Sequence, residues 1–249
     1  MSAFGDAVVY LNDPFNWTRP RGILELTGQH LAIAGLSVGI ALVTALPLAV
    51  WLGHTGRGGS FTVAISNVSR AVPTLAVLTI FAVTPLAFTI WAPVIALTLF
   101  AVPPILANTY LGMREVDRDV VEAARGMGLG TRQIITRVEL PLAVPMVMTG
   151  IRTAAVQVVA TATLAALLAG GTLGSIIRTG FATQKYGVVV AGAVLVAALA
   201  LLTELALSLV SWALTPKGSR RALPWTRQPA RTAVGEGPDT QRELAASPL

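Results

Sequence analysis

The sequence predicts an all-α protein that crosses a membrane several times. Three observations carry this: uncharged apolar runs of bilayer length, a charged fraction of only 12% where soluble domains carry about 25%, and basic residues gathered on alternate connections. Leu31 to Leu52 contains no formal charge, and at a rise of about 1.5 Å per residue such a run crosses a hydrocarbon core of roughly 30 Å. Five spans are expected, at residues 31–52, 61–84, 88–111, 142–169 and 186–214. The second is interrupted by Ser66, Asn67, Ser69 and Arg70, a charge tolerated near an interface or against other helices. Prolines at 47, 73, 103, 104 and 145 fall within or beside these segments, as membrane helices allow where neighbours satisfy the freed backbone groups.

Five spans place the termini on opposite sides. One side collects Arg57, the five arginines of the 112–141 connection, and Lys217 with five arginines after Thr215, twelve basic residues in all, against four on the other: Arg19, Arg21, Arg178 and Lys185. The positive-inside rule assigns the richer side to the cytoplasm, so the N-terminus is expected outside and the C-terminus inside. This distribution also argues against nucleic acid as the reason for the net charge of +6. Trp51 and Trp212 close spans on the inner side, and Trp91 and Tyr186 open spans on the outer side, the positions of interfacial anchors.

Residues 1–28 are expected as an external segment, with Phe15 to Trp17 and Ile23 to Leu26 lying along the membrane surface. Met1 to Arg21 lacks the basic leader and apolar stretch of a signal peptide. Residues 217–249, rich in Pro, Arg, Gly, Ser and Thr, are expected as a disordered basic tail whose cluster near Arg220 meets anionic headgroups. With no cysteine, disulfides and thiolate chemistry are excluded. His30 and His54 form no metal-binding pair. Neither Lys185, preceded by Gln184, nor Lys217, preceded by Pro216, belongs to a phosphate-binding Gly-Lys-Ser/Thr loop, so no metal, cofactor or ATPase centre is expected here.

The connection 112–141 is the most specific segment. Val116, Val120, Val121 and Ala124 recur at helical spacing among charged residues. Gly126, Gly128 and Gly130 break the helix, Thr131 is placed to cap a second one carrying Ile134, Ile135 and Val138, and Pro141 is read as the turn into the fourth span. Glu122, Ala123, Ala124 and Gly128, followed after nine residues by Val138 and then Leu140 and Pro141, resemble the EAA loop of ABC importer permeases. The pattern there is Glu-Ala-Ala, three residues, Gly, nine residues, Ile, any residue, Leu-Pro, and Val138 in place of Ile is the only departure. Small residues let such a helix sit closely in a groove on another protein, and the resemblance makes that protein the ATPase subunit.

Further stretches, VSRAVPTLAVLTI from Val68, PPILANTYLGM from Pro103 and GIRTAAVQVVATATLAALLAGGTLGSII from Gly150, resemble the osmoprotectant permeases for glycine betaine, carnitine and choline. The likeness spans Gln29 to Pro216. It implies a type I importer transmembrane domain over 29–216 in a bacterial plasma or inner membrane, multi-pass, working by alternating access. Its implied partners are an ABC ATPase, a second permease chain (the same or a different one), an external solute-binding protein and membrane lipids. Permeases for methionine, taurine or nitrate share the EAA loop and remain alternatives, as does an ion-coupled secondary transporter, although that class carries paired repeats and more intramembrane carboxylates. Asn108, Thr109, Gln157, Thr161 and Thr163 are candidate path residues, each with interhelical packing as the competing role. Gly170, Gly171 and Gly174 read equally as an outer gate loop or a plain turn. Arg152 and Glu204 fall at similar depth in the fourth and fifth spans and are expected to pair.

Overall fold

The computed structural model describes residues 2–62, 64, 72–87, 89–167 and 171–215. Arg70, Gly170, part of the expected second span and the whole expected tail lie outside the described residues. Among the described residues, four helical stretches have the length and composition to cross a membrane: Pro14–Thr55, Trp91–Arg114, Thr131–Leu167 and Tyr186–Leu214. In the described part of the second expected span, residues 61, 62 and 64 are helical and Thr74–Ala82 forms a nine-residue helix.

The chain opens with two short helices, α1 (Ala3–Asn12) and α2 (Pro14–Thr18), divided at Asp13, whose carboxylate accepts from Phe15 N–H at 3.0 Å. They fold against each other through Trp17, whose indole N–H donates to the Leu11 carbonyl at 2.7 Å. Helix α3 (Ile23–Thr55) then begins eight residues before the expected first span. Ile23 and Leu26, expected on the membrane surface, are instead buried in its first turn, packed with Leu173 and Ile176. A local apolar pair cannot reveal that its cover comes from residues 150 positions later.

The core follows from a four-residue ladder of small side chains. Along α3, Ala41, Ala45, Ala49 and Gly53 are buried at successive i+4 positions. Helix α5 (Trp91–Arg114) answers with Leu97, Ala101 and Ile105, and helix α8 (Leu140–Thr161) contributes Ala154 and Val158. Such rows form the ridges through which helices interdigitate, and small residues let membrane helices approach closely. At Gly150 an added Cβ would lie 2.8 Å from the Pro104 carbonyl oxygen, so α5 and α8 touch backbone to backbone there. The buried His30 of α3 places its Nε2 2.9 Å from the Val159 carbonyl, tying α3 to α8, while the short helix α4 (Thr74–Ala82) packs against α5.

The connection 112–141 contains α6 (Arg118–Gly126) and α7 (Thr131–Ile134). Pro141 does not make the expected turn. From Thr131 the chain runs through a π-helical turn, Ile135–Glu139, directly into α8. The proline ring would crowd the carbonyl four residues back in an ordinary helix, and the wider π turn, closed by Leu140 N–H to the Ile135 carbonyl, accommodates it. Nor does Thr131 cap α7: Gly130 is the N-cap, and its N–H donates to Gln133 Oε1 at 3.0 Å.

Past α8 the chain tightens into a 3-10 turn, Ala162–Leu167. Helix α9 (Gly174–Ala182), where a glycine loop or turn was expected, precedes the long α10 (Tyr186–Leu214) and packs against it. Gly180 sits against Val188 and Val189, and Gly192 against Ile177. Residues 171–173 remain a short connection, and Gly174 is buried as the first helical residue, with no room for a Cβ beside the Thr163 carbonyl.

Candidate coupling surface and transport path

Helix α6 is amphipathic on a short scale. Val121 and Ala124 turn inward and join Val116 and Ile134 in a small cluster of their own, flanked by Leu129 and Val138. Glu122 and Ala123 remain exposed on the other face, and Met127 just beyond the helix is 74% exposed. Asp117 starts the helix by accepting from Asp119 N–H at 3.0 Å. Gly128 ends it. Gly128 N–H donates to Arg125 and Leu129 N–H to Ala124, the paired bonds of a Schellman stop, with Gly128 in the left-handed region at φ +83°. The glycine of the motif is therefore required by the backbone, while Ala124, Val138 and Leu129 hold the helix onto α7 and the π turn. Leu140 and Pro141, both half-buried, carry this unit into α8.

At the junction lies a group that motif reading missed. Glu139 is fully buried. His54 Nδ1–H, from the last turn of α3, donates to Glu139 Oε2 at 2.6 Å, and Arg118 Nη1, from the first turn of α6, lies 3.8 Å from Oε1. Desolvation of a lone carboxylate is strongly unfavourable, and two cationic or donor partners offset it. Its position between Val138 and Leu140 was the open one in the motif, and its histidine partner is 85 residues away. The available signal was a carboxylate placed immediately before a span.

The intramembrane charges meet. The Arg152 guanidinium donates to the Glu204 carboxylate, joining α8 to α10. Thr149, Thr153, Val156 and Gln157 complete an open groove of about 410 Å³ around the pair. Of the candidate path residues, only Gln157 belongs to this groove. Asn108 donates its amide to the Pro104 carbonyl at 2.7 Å and packs against Gly150, and Thr109 is buried. Thr161 and Thr163 donate to the backbone carbonyls of Gln157 and Ala160, both at 2.7 Å, and Thr163 borders a separate apolar pocket with Gly174, Arg178 and Phe181. Gly171 lies against the Gln29 side chain.

Residues 41–214 match the family described as binding-protein-dependent transport system inner membrane component. The carnitine transport permease protein OpuCB of Listeria monocytogenes is 37% identical over 200 residues, covering 80% of this chain and 91% of that one. The glycine betaine/carnitine/choline transport system permease protein OpuCB of Bacillus subtilis (strain 168) is 35% identical over 197 residues, covering 79% and 90%. Among solved structures, an inward-facing conformation of the MetNI methionine ABC transporter aligns with a TM-score of 0.67 over 82% of this chain and all of that one, at 23% identity, a likeness of fold.

Proposed function

Because this chain belongs to the binding-protein-dependent transport inner membrane components, as a multi-pass, non-catalytic permease subunit of an ABC importer, we propose that its solutes are osmoprotectants of the glycine betaine, carnitine, choline and proline kind. The observation that carries the reading is the identity, over four fifths of the chain, to permeases named for carnitine, glycine betaine and choline. An ABC permease of this family works with an ATPase and a binding protein. The exposed face of α6, with Glu122 and Ala123, is the surface we assign to the ATPase, which places that end of the bundle in the cytoplasm and α9 toward the outer face. This agrees with the basic-residue asymmetry.

The groove at Arg152 and Glu204 supports a paired-permease arrangement. Their side chains are 32% and 38% exposed in the isolated chain, and charged groups in a membrane face a bundle interior or a water-filled cavity rather than lipid. A second permease chain closing over α8 and α10 supplies that cover and leaves a polar path along Gln157. Solute selection then rests mainly with the binding protein, and Gly171 and Gly174 near the outer mouth serve the gate through the close packing of α9.

Two measurements test the reading. Expressed with its partner ATPase, the chain should retain it through purification, and Glu122→Lys or Gly128→Glu should abolish that retention. Retention by both variants counts against the docking surface. Uptake of radiolabelled glycine betaine, carnitine, choline and proline by cells carrying the complete system then tests the solute class, and transport of none of the four removes it.

A further inference from the structure

The coupling loop accounts for how an ATPase is gripped, but not for how its motion leaves the loop. Resting on the docking surface assigned above, we propose that Glu139 is a positioning residue that locks the docking helix α6 to α3, so that movement imposed on α6 reaches the first long helix directly and not only α8. Three elements converge on this one carboxylate: the last turn of α3 through His54, the first turn of α6 through Arg118, and the π turn that bears Glu139 itself. π turns inside helices are concentrated at functional sites. This one sets a buried acid where α8 enters the bundle.

The two links differ in kind. The 2.6 Å bond to a nearly enclosed imidazole is short and charge-assisted. The 3.8 Å approach of Arg118, whose side chain is 41% exposed, is the looser strut. Beneath them the apolar cluster of Val121, Ala124 and Ile134 makes α6 and α7 one body. At the same end, α3 and α5 touch closely where Gly53 meets Met113. Without Glu139, α6 would still be seated on α7 and on the route into α8, yet it would lose its polar connection to α3. Since α3 packs along α5 and α8 through its alanine ladder, driving α3 moves the core of the bundle.

The absence of native cysteine makes a direct test straightforward. Spin labels at Val43→Cys on α3 and Leu201→Cys on α10, both exposed in this chain, report the distance between these helices in the assembled complex, with and without vanadate-trapped nucleotide. The expected result is that Glu139→Gln keeps the ATPase bound but loses the nucleotide-dependent change in the α3–α10 distance. Arg118→Met should reduce that change less. A paired His54→Leu, Glu139→Leu variant guards against misfolding, because apolar replacement of a buried polar pair is often tolerated. It should assemble and still lack the change. A wild-type distance change in Glu139→Gln or in the paired variant overturns the proposal, as does loss of the ATPase from Glu139→Gln, which would make the residue part of the docking fold alone. Failure of the unmodified chain to retain the ATPase would instead overturn the docking assignment and this inference with it.

Discussion

Two acid–base contacts sit on the same stretch of chain, one just before α8 and one within it, and they are built in opposite ways. Glu139 is sealed: its side chain is 0% exposed and that of His54 only 11%. Arg152 and Glu204 satisfy each other but stand about a third open. The first site draws its partners from α3 and α6 of one polypeptide, with Glu139 Oε2 hydrogen-bonded to His54 and Oε1 facing Arg118 at 3.8 Å without a hydrogen bond. The second has its charges matched and its walls half missing, which in a bilayer cannot be left to hydrocarbon. Under the roles proposed above, the site that transmits force draws its partners from the chain that receives it, whereas the site on the path is closed by a second permease on assembly. Burial separates these roles where residue type does not.

The sharpest way to break this comparison is His54→Ala. It strands a buried carboxylate with only the looser Arg118 strut, and removal of one partner of a buried pair typically costs about 3–5 kcal/mol. The denaturation midpoint of the detergent-solubilised chain should fall accordingly, and further than for Glu139→Ala, whose abandoned Arg118 retains access to solvent. An effect smaller than that of Arg152→Ala would mean that the sealed site is not the more tightly held of the two.

The open pair should respond differently. Glu204→Ala leaves Arg152 unpaired inside a span, a cost of about 2.5–3.5 kcal/mol at a helix centre on insertion scales, and should reduce membrane abundance and uptake together. The paired variant Arg152→Leu, Glu204→Leu should recover abundance, giving a coupling between the two positions in a double-mutant cycle. Strictly additive losses in abundance would show that the contact contributes nothing as a pair.

What could be read in advance follows the same division. Helix α6 was legible because Val121, Ala124 and Gly128 follow local rules of periodicity and capping, and the contiguous EAA-like pattern from Glu122 to Pro141 marks the segment. The cap expected at Thr131 and the turn expected at Pro141 were not found. The Arg152 and Glu204 contact was legible from depth alone, since a charge in an apolar helix restricts where its partner can be. His54 with Glu139 was not, because neither is unusual near a membrane boundary and only the fold brings them together. The π turn escaped for a related reason: Pro141 announces that the ordinary hydrogen-bond ladder must change, but the same signal serves a turn or a widened helix. Helix α9 was hidden by its glycines. Gly174 reads in the sequence as part of a loop or turn, yet it packs closely against Thr163, and Gly180 lies as closely against α10.

The smallest effect expected tests whether the coupling unit is as self-contained as its buried anchor implies. Gly126 and Gly128 stand two residues apart, and an added Cβ at either meets nothing within 4 Å, so crowding cannot distinguish them. Backbone conformation does. Gly126 is the last residue of α6, where alanine is a better helix former than glycine by about 1 kcal/mol. Gly128 occupies the left-handed region, where a Cβ costs about 1–2 kcal/mol. Gly126→Ala should therefore leave retention of the ATPase unchanged or improve it. Gly128→Ala should weaken it severalfold by unsettling the stop that leaves Met127 exposed and packs Leu129 on the α6–α7 cluster. The comparison is read from ATPase retained under graded salt washes of the immobilised complex. Equal retention by the two variants would mean that the ATPase, rather than the Schellman turn, shapes the end of this helix, and the coupling region would then join the Arg152 groove as a site completed only on assembly.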